Sequence, residues 1–270
     1  MNMVPDYHIH TPLCKHAEGE TAEYLRAAGL RDLPEICFTD HVPNPDQYDP
    51  KNRMTLEEFP RYKQMVRALA VSGAPAALFG VEADYYQGCE KFLREWLPRQ
   101  ELDLVLGSIH YIENWGFDNP AERAVWDNVD VADTWRSYFE LVGRLADTKL
   151  FDVVGHFDLP KKFGHRPPEK TLKKIVGPAL DKIAGAEMAV EINTSGLRRP
   201  VKEIYPSLIV LEMARARGIP ICFGSDAHKP DEVGYKFAAA LELAKSAGYS
   251  KAARFSGRRK TSYPLPLSFP

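Results

Sequence analysis

The chain has 270 residues, 44% of them hydrophobic, enough to bury one barrel-sized core or two smaller ones. Its 35 Lys and Arg against 37 Asp and Glu leave a net charge of −2, which excludes bulk electrostatic attraction to nucleic acid or to a membrane. No run of about 18 apolar residues is present to span a bilayer, and MNMVPDYHIH has neither the basic nor the apolar region of a secretory signal.

The first predicted strand is VPDYHIH, which closes on His8 and His10, and a helical pattern follows over 21–31. EICFTD comes next, with His41 just past it in TDH, then a long loop over 40–54 and a helix over 56–71. AALFGVE ends on Glu82, in GVEAD, before a helix over 90–100. LDLVLGSIH ends on His110, followed by a second long loop over 110–130 and a helix over 131–148. FDVVGHFD carries His156, His165 lies mid-loop in KKFGHRPP, and a helix covers 169–184. AVEINTS delivers Asn193 ahead of a helix over 204–217. IPICFGSD leads into GSDAH, with Asp226 and His228, ahead of a helix over 231–247. The end, TSYPLPLSFP, reads as an extended tail on the surface. Short β-branched or aromatic runs of this kind suit buried parallel strands. Seven strand–helix alternations predict a parallel α/β sheet, which right-handed crossovers allow to close into a barrel; an open doubly wound sheet is the alternative. Both long loops exceed the usual connection length and are expected to bind something.

Every one of these strands delivers a polar side chain at its C-terminal end, the edge where sites assemble in α/β folds. Residues two apart on a strand share a face, so His8 and His10 present two imidazoles together. His8, His10, His16, His41, His110, His156 and His228, with Glu82 and Asp226, make nine ligand-type side chains. One zinc site uses three or four protein ligands, so nine imply two or three ions sharing a cleft, with a carboxylate between them. Imidazole and carboxylate together suit Zn, Fe or Mn. Cys14, Cys37, Cys89 and Cys222 show no CxxC pairing and are expected as free thiols of a cytoplasmic protein.

HIHT, TDH, GVE, GSIH, GHFD and GSDAH together resemble the polymerase and histidinol phosphatase (PHP) superfamily over nearly the whole chain. LCKHAEGE, GSIHYIENWGFD and EINTSGLRRP resemble its histidinol-phosphatase branch. The resemblance implies one domain over 1–270, a distorted (β/α)7 barrel of parallel strands with its active site at the C-terminal face. It implies one ion on His8, His10, Glu82 and Asp226. A second would share Glu82 and add His110 and His156, and a third would take His16, His41 and His228. The implied activity is hydrolysis of L-histidinol phosphate to L-histidinol and phosphate by a metal-activated hydroxide, with Glu82, Asp226 and Arg198 in the catalytic set. A PHP-type nucleotide or nucleic-acid phosphoesterase, or a phosphatase for another small phosphomonoester, is the alternative.

Arg198 follows the sixth strand, and its guanidinium matches phosphate bidentately. Lys161 and Lys162 follow the fifth strand, and Asn193 and Ser195 can hydrogen-bond phosphate. Trp115 and Phe117 offer rings for stacking an imidazole, and Glu113 and Asp118 offer charge for an ammonium group. An amidohydrolase barrel also opens with HxH, but no middle strand here ends in the bridging lysine it would show. The expected partner is a small-molecule substrate; nucleic acid and membrane are not expected, and no sequence feature sets the oligomeric state.

Overall fold

Seven short strands pair in chain order into one parallel sheet: β1 (Asp6–Ile9), β2 (Glu35–Phe38), β3 (Ala76–Asp84), β4 (Leu104–Ser108), β5 (Val153–Val154), β6 (Ala189–Asn193) and β7 (Ile221–Gly224). These come from a computed structural model that describes residues 4–46, 48–69 and 75–268. The sheet nearly closes on itself. Beyond the end of β7, the His10 amide donates to the Ala227 carbonyl (2.9 Å) and the Ala227 amide to the His8 carbonyl (3.2 Å). The barrel reading therefore holds over the open sheet, and the closing contacts fall at the C-terminal edge, beside the ligand residues.

Alternation along each strand sorts side chains into two cores. Tyr7, Cys37, Leu104, Leu106, Val153, Ala189 and Cys222 form a small inner cluster. Val81, Val105, Val154, Val190 and Ile192 face the larger core under the helices. Those helices are α1 (Thr21–Leu30), α2 (Phe59–Leu69), α3 (Glu90–Trp96), α4 (Val131–Thr148), α5 (Glu169–Gly185), α6 (Leu208–Ala216) and α7 (Phe237–Ser246). In α4, Asp130 caps the first turn by accepting from the Asp133 amide, and Trp135, Tyr138, Phe139 and Val142 form its buried stripe.

Proline and positive φ explain where helix ends differ from expectation. Pro98 turns the end of the 90–100 helix into a 3-10 turn after Trp96. Pro206 disfavours helical geometry at Tyr205, so α6 begins at Leu208; Tyr205 instead pairs with Asn193 through backbone bonds of 2.6 and 2.9 Å. Gly234 and Lys236 adopt positive φ, which delays α7 to Phe237. The expected helix over 56–71 is seen from Phe59 to Leu69, and its last two positions lie outside the described residues.

The expected surface tail is corrected for most of its first half. Residues 261–264 belong to β9 (Arg259–Pro264), which pairs antiparallel with β8 (Lys251–Ser256). Gly257 and Arg258 both take positive φ, the geometry of a tight hairpin turn. Ala253 and Phe255 enter the inner barrel cluster, with the Phe255 ring edge-on to Tyr7 at 5.5 Å. The turn is pinned below β4 and β5: the Gly257 amide donates to Asp103 (2.9 Å) and the Arg258 guanidinium to Asp152 (2.9 Å). The hairpin thus plugs the N-terminal mouth and leaves the opposite end open.

Candidate metal centre

At the open end, strand geometry gathers five of the nine expected ligands, His8, His10, His110, His156 and Asp226, around a sixth, Glu82, and sets the other three beside them. Glu82 is almost wholly buried, and its two oxygens face different sets of imidazoles. Oε2 lies 3.5 Å from Nε2 of both His8 and His10, and those nitrogens lie 3.8 and 3.4 Å from Asp226 Oδ1. Oε1 lies 3.1 Å from His156 Nε2 and 3.8 Å from His110 Nε2. Two atoms bound about 2.1 Å from one tetrahedral ion sit roughly 3.4 Å apart, so these spacings fit two divalent ions sharing one carboxylate.

The remaining three expected ligands lie alongside. His16 Nε2 is 3.0 Å from His228 Nε2, and His41 Nδ1 is 3.0 Å from Glu82 Oε2 but out of line for a hydrogen bond. His16 and His41 keep ring centroids 5.9 Å apart, so His41 leans toward Glu82 rather than closing on the His16–His228 pair. His16 Nδ1 donates to the Cys14 carbonyl and His228 Nδ1 to the Asp226 carbonyl, so two Nε2 lone pairs face each other. His8 Nε2, whose Nδ1 faces Glu191, lies 3.2 Å from His10 Nε2. Acceptors held this close call for a shared cation, and the donor set fits divalent metal. Cys14 is buried, with a potential ligand atom within 4.8 Å of His10 and His228, and all four cysteines are free. His165 stacks on Trp126 at 4.8 Å and takes no part.

Charge balance follows the geometry. Burial works against ionising Glu82, but His8, His41 and His156 hold its carboxyl well below the usual range. Asp226 is held down in the same way, against burial, by His8, His10 and His228. Burial lowers the basicity of His110, yet Asp84, at 2.5 Å from its Nδ1, outweighs this and raises the pKa to about 10. In the absence of other cations, protons on imidazole balance the carboxylates.

Above the cluster opens a cleft of about 440 Å3. Both long loops line it, through Asp49, Lys51 and Asn52 on one side and Tyr111, Asp118 and Asn119 on the other. Lys162, Ser195 and Arg199 complete the rim. Several expected substrate contacts do not reach it. Lys161 is buried, its Nζ donating to the Ile204 carbonyl (2.7 Å) and paired with Asp158 (3.0 Å). Asn193 spends Oδ1 on the Ser195 amide and Nδ2 on Glu191. Phe117 is 1% exposed and packs edge-on to Tyr138, and Trp115 packs on Trp126. Glu113 sits exposed at the tip of a tight turn between Ile112 and Trp115. Asp118 does line the cleft, paired with Lys162 at 2.8 Å. Arg198 lies behind the rim: Nη2 donates to the Ser225 and Asp226 carbonyls (2.9 and 3.0 Å), Nε pairs with Glu232 (3.1 Å), and Nη1 is buried without a partner.

A family model described as PHP domain matches residues 6–195. The protein named "Probable histidinol-phosphatase" from Deinococcus radiodurans is 44% identical over 90% of this chain and 93% of its own. The chain belongs to the PHP domain family. A second model, described as PHP-associated, matches residues 209–248. "Histidinol-phosphatase" of Bacillus subtilis is 29% identical, covering 88% of this chain and 98% of its own. The crystal structure of histidinol phosphate phosphatase from Lactococcus lactis, complexed with zinc, L-histidinol and phosphate, aligns with a TM-score of 0.80 at 22% identity, covering 96% of this chain and 98% of that one. That likeness confirms the barrel fold.

The PHP centre has supporting residues that the ligand pattern alone did not reveal. Asp84 stands two residues after Glu82 on β3, so both face inward, and it holds His110. Arg53, 2% exposed, reaches from the first long loop to Asp84 (2.7 Å). Asp40 accepts from the Thr11 and His41 amides (3.0 and 2.7 Å), fixing the loops that carry His10 and His41. Glu191 bonds His8 Nδ1 at 2.8 Å. Asp84 and Glu191 were legible as acids on the inward phase of buried strands. Arg53 carried no local signal.

Proposed function

We propose that this protein hydrolyses a small phosphomonoester, L-histidinol phosphate, to L-histidinol and inorganic phosphate. The observation that carries the reading is the shared position of Glu82 between two imidazole sets, at the floor of a cleft whose rim bears cations and carboxylates together. A substrate with a phosphate at one end and an ammonium at the other matches such a rim. The names of the relatives point the same way.

His8, His10, Glu82 and Asp226 would hold one ion, and Glu82, His110 and His156 a second. His16, His41 and His228 would hold a third. Zn, Fe and Mn all suit these ligands. When bound, such ions supply Lewis acidity, which makes hydroxide available near pH 7 and offsets negative charge on phosphoryl oxygens. The chain supplies the rest. Lys162 and Arg199 draw the phosphate to the cleft floor, and Arg198 keeps the buried Nη1 donor for a phosphoryl oxygen. Asp49 and Asp118 face the leaving group's ammonium, and Tyr111 offers its ring to the imidazole. In the reaction a water oxygen bonds to phosphorus, the ester P–O bond breaks, and the leaving oxygen takes up a proton.

β1–β6 fall within the first matched stretch and β7 within the second, yet all seven close one barrel, which supports a single functional unit. Among the described residues no helix is long and apolar enough to cross a membrane. The four free thiols fit a cytoplasmic setting.

The test is phosphate release from histidinol phosphate, a nucleotide, a sugar phosphate and a bis-phosphodiester, each with Mn, Fe or Zn. Histidinol phosphate is expected to give the highest kcat/KM. Preference for another ester by more than about tenfold, about 1.4 kcal/mol in transition-state binding, overturns the substrate assignment.

A further inference from the structure

Glu191 lies on β6 with no solvent exposure, beneath the ligand cluster. Three donors converge on its two oxygens. Oε1 faces His8 Nδ1 at 2.8 Å. Oε2 accepts from the His156 main-chain amide at 2.8 Å and from Asn193 Nδ2 at 3.0 Å. The Asn193 orientation is fixed, because its Oδ1 accepts from the Ser195 amide. The missing side chain of Gly224 makes room for this carboxylate. A Cβ on Gly224 would fall 1.9 Å from Oε1, and one on Gly155 would fall 3.5 Å from Oε2. His156 is held at φ 24, a region that residues with a Cβ rarely adopt, and its bond to Glu191 is one of the contacts that keep it there.

We infer that Glu191 is a positioning residue for two metal positions at once: it fixes His8 as the Nδ1–H tautomer, so that Nε2 faces the metal, and it anchors the backbone of His156. An ionised carboxylate only accepts, so His8 must present N–H at Nδ1 and keep its lone pair at Nε2. That lone pair is the one aimed at Glu82, His10 and Asp226. Glu82 thus joins the two positions on the cleft side and Glu191 joins them from inside the barrel. The inference rests on the metal-centre reading and is independent of which ester is the substrate.

Glu191→Gln exposes the role through a donor conflict. With the amide oxygen toward His8, the NH2 meets the His156 and Asn193 donors. With the amide reversed, those two donors are satisfied, and NH2 faces His8 Nδ1. The reversed form satisfies more donors and moves the His8 proton to Nε2, where metal must bind. Long-range 15N–1H spectra of histidine-labelled protein read the tautomer directly, and chelator competition reads zinc affinity. In the zinc-loaded wild type, His8 is expected as Nδ1–H with Nε2 unprotonated. In Glu191→Gln it is expected as Nε2–H, with zinc affinity lower by about 10- to 100-fold and more than one equivalent affected. If Glu191→Gln does not fold, Glu191→Asp serves: it keeps the charge but is too short to span His8 and His156, and the same loss of zinc is expected. Nε2–H with an unprotonated Nδ1 on His8 in the zinc-loaded wild type overturns the inference. So does a variant that melts lower yet keeps wild-type zinc affinity and tautomer, which is the signature of a merely structural residue. A wild type that binds no zinc at all would instead refute the metal-centre reading itself.

Discussion

Replacing Glu82 by Gln should remove metal from two positions in one step. The carboxylate is 1% exposed, with five histidine nitrogens 3.0–3.8 Å from its oxygens. Gln keeps the volume, but one end becomes NH2. Oε1 accepts from the Ser108 hydroxyl at 2.5 Å, so the amide oxygen is expected to stay there and the NH2 to face His8 and His10. The first position then meets a donor where a ligand is required, and the second keeps a neutral oxygen in place of an anionic one. A unit charge acting over about 4 Å through an effective dielectric of about 20 contributes about 4 kcal/mol. Retention of a weak oxygen ligand reduces the loss to roughly 2–4 kcal/mol per position, or about 30- to 1000-fold in affinity. The assay is elemental analysis across a chelator series, with the melting temperature of the metal-free variant as the control for folding. Loss of a single equivalent with near-normal turnover would refute the shared carboxylate, and unchanged stoichiometry would refute the centre as drawn.

Asp84→Asn removes one of the two carboxylates that pair with buried Arg53, leaving Asp49, and frees His110; it should cost about 1–3 kcal/mol in a denaturant titration and weaken the second metal position about 10- to 100-fold, and a variant with wild-type stability and zinc affinity would contradict both roles. Metal binding should release protons and tighten as pH rises. His110 titrates near 10 in the metal-free fold against an ordinary 6.5, so its proton stabilises that fold fully below pH 6.5 and no longer does so above 10, and metal must displace it in between. Proton uptake on zinc addition in weak buffer at pH 7.5 would reverse that sign. Arg198→Ala should lower kcat/KM by roughly 30- to 1000-fold and also reduce metal content, because its Nη2 holds the Ser225 and Asp226 carbonyls; Arg198→Lys should recover only part, and a value within about threefold of wild type would place the phosphate donors on Lys162 and Arg199 alone.

Much of this architecture was legible because strand alternation and metal ligation impose local spacing. His8 and His10, two apart, had to share a face, and seven apolar runs that each lead to a polar side chain, six of them to a ligand, had to bring those ends to one edge. The hairpin at 251–264 was missed because its cue is weak. The turn places Arg258 rather than Asn or Gly at positive φ, and the prolines that follow pointed to an extended chain. The loop contacts failed for a different reason. Trp115 and Phe117 are aromatic and close to His110 in sequence, but sequence proximity does not fix which side of a loop faces the cleft. Phe117 buries its ring against Tyr138, and Tyr111, one residue past His110, faces the cleft.

Charged residues in the barrel interior obey a rule that explains which of them mattered. A buried carboxylate is costly unless hydrogen bonds or opposite charge compensate it, so each one on an inward strand position implies specific partners. Glu82, Asp84 and Glu191 all occupy such positions, and each is compensated by an imidazole: His156, His110 and His8. Of the three, only Glu82 points its oxygens at the cleft-side nitrogens of these rings, with both oxygens engaged. Asp84 and Glu191 take the far nitrogens of His110 and His8, which turns the near nitrogens of both rings toward Glu82. Ligand and supporting carboxylate are the same residue class at the same strand phase, and which ring nitrogen each one faces separates them.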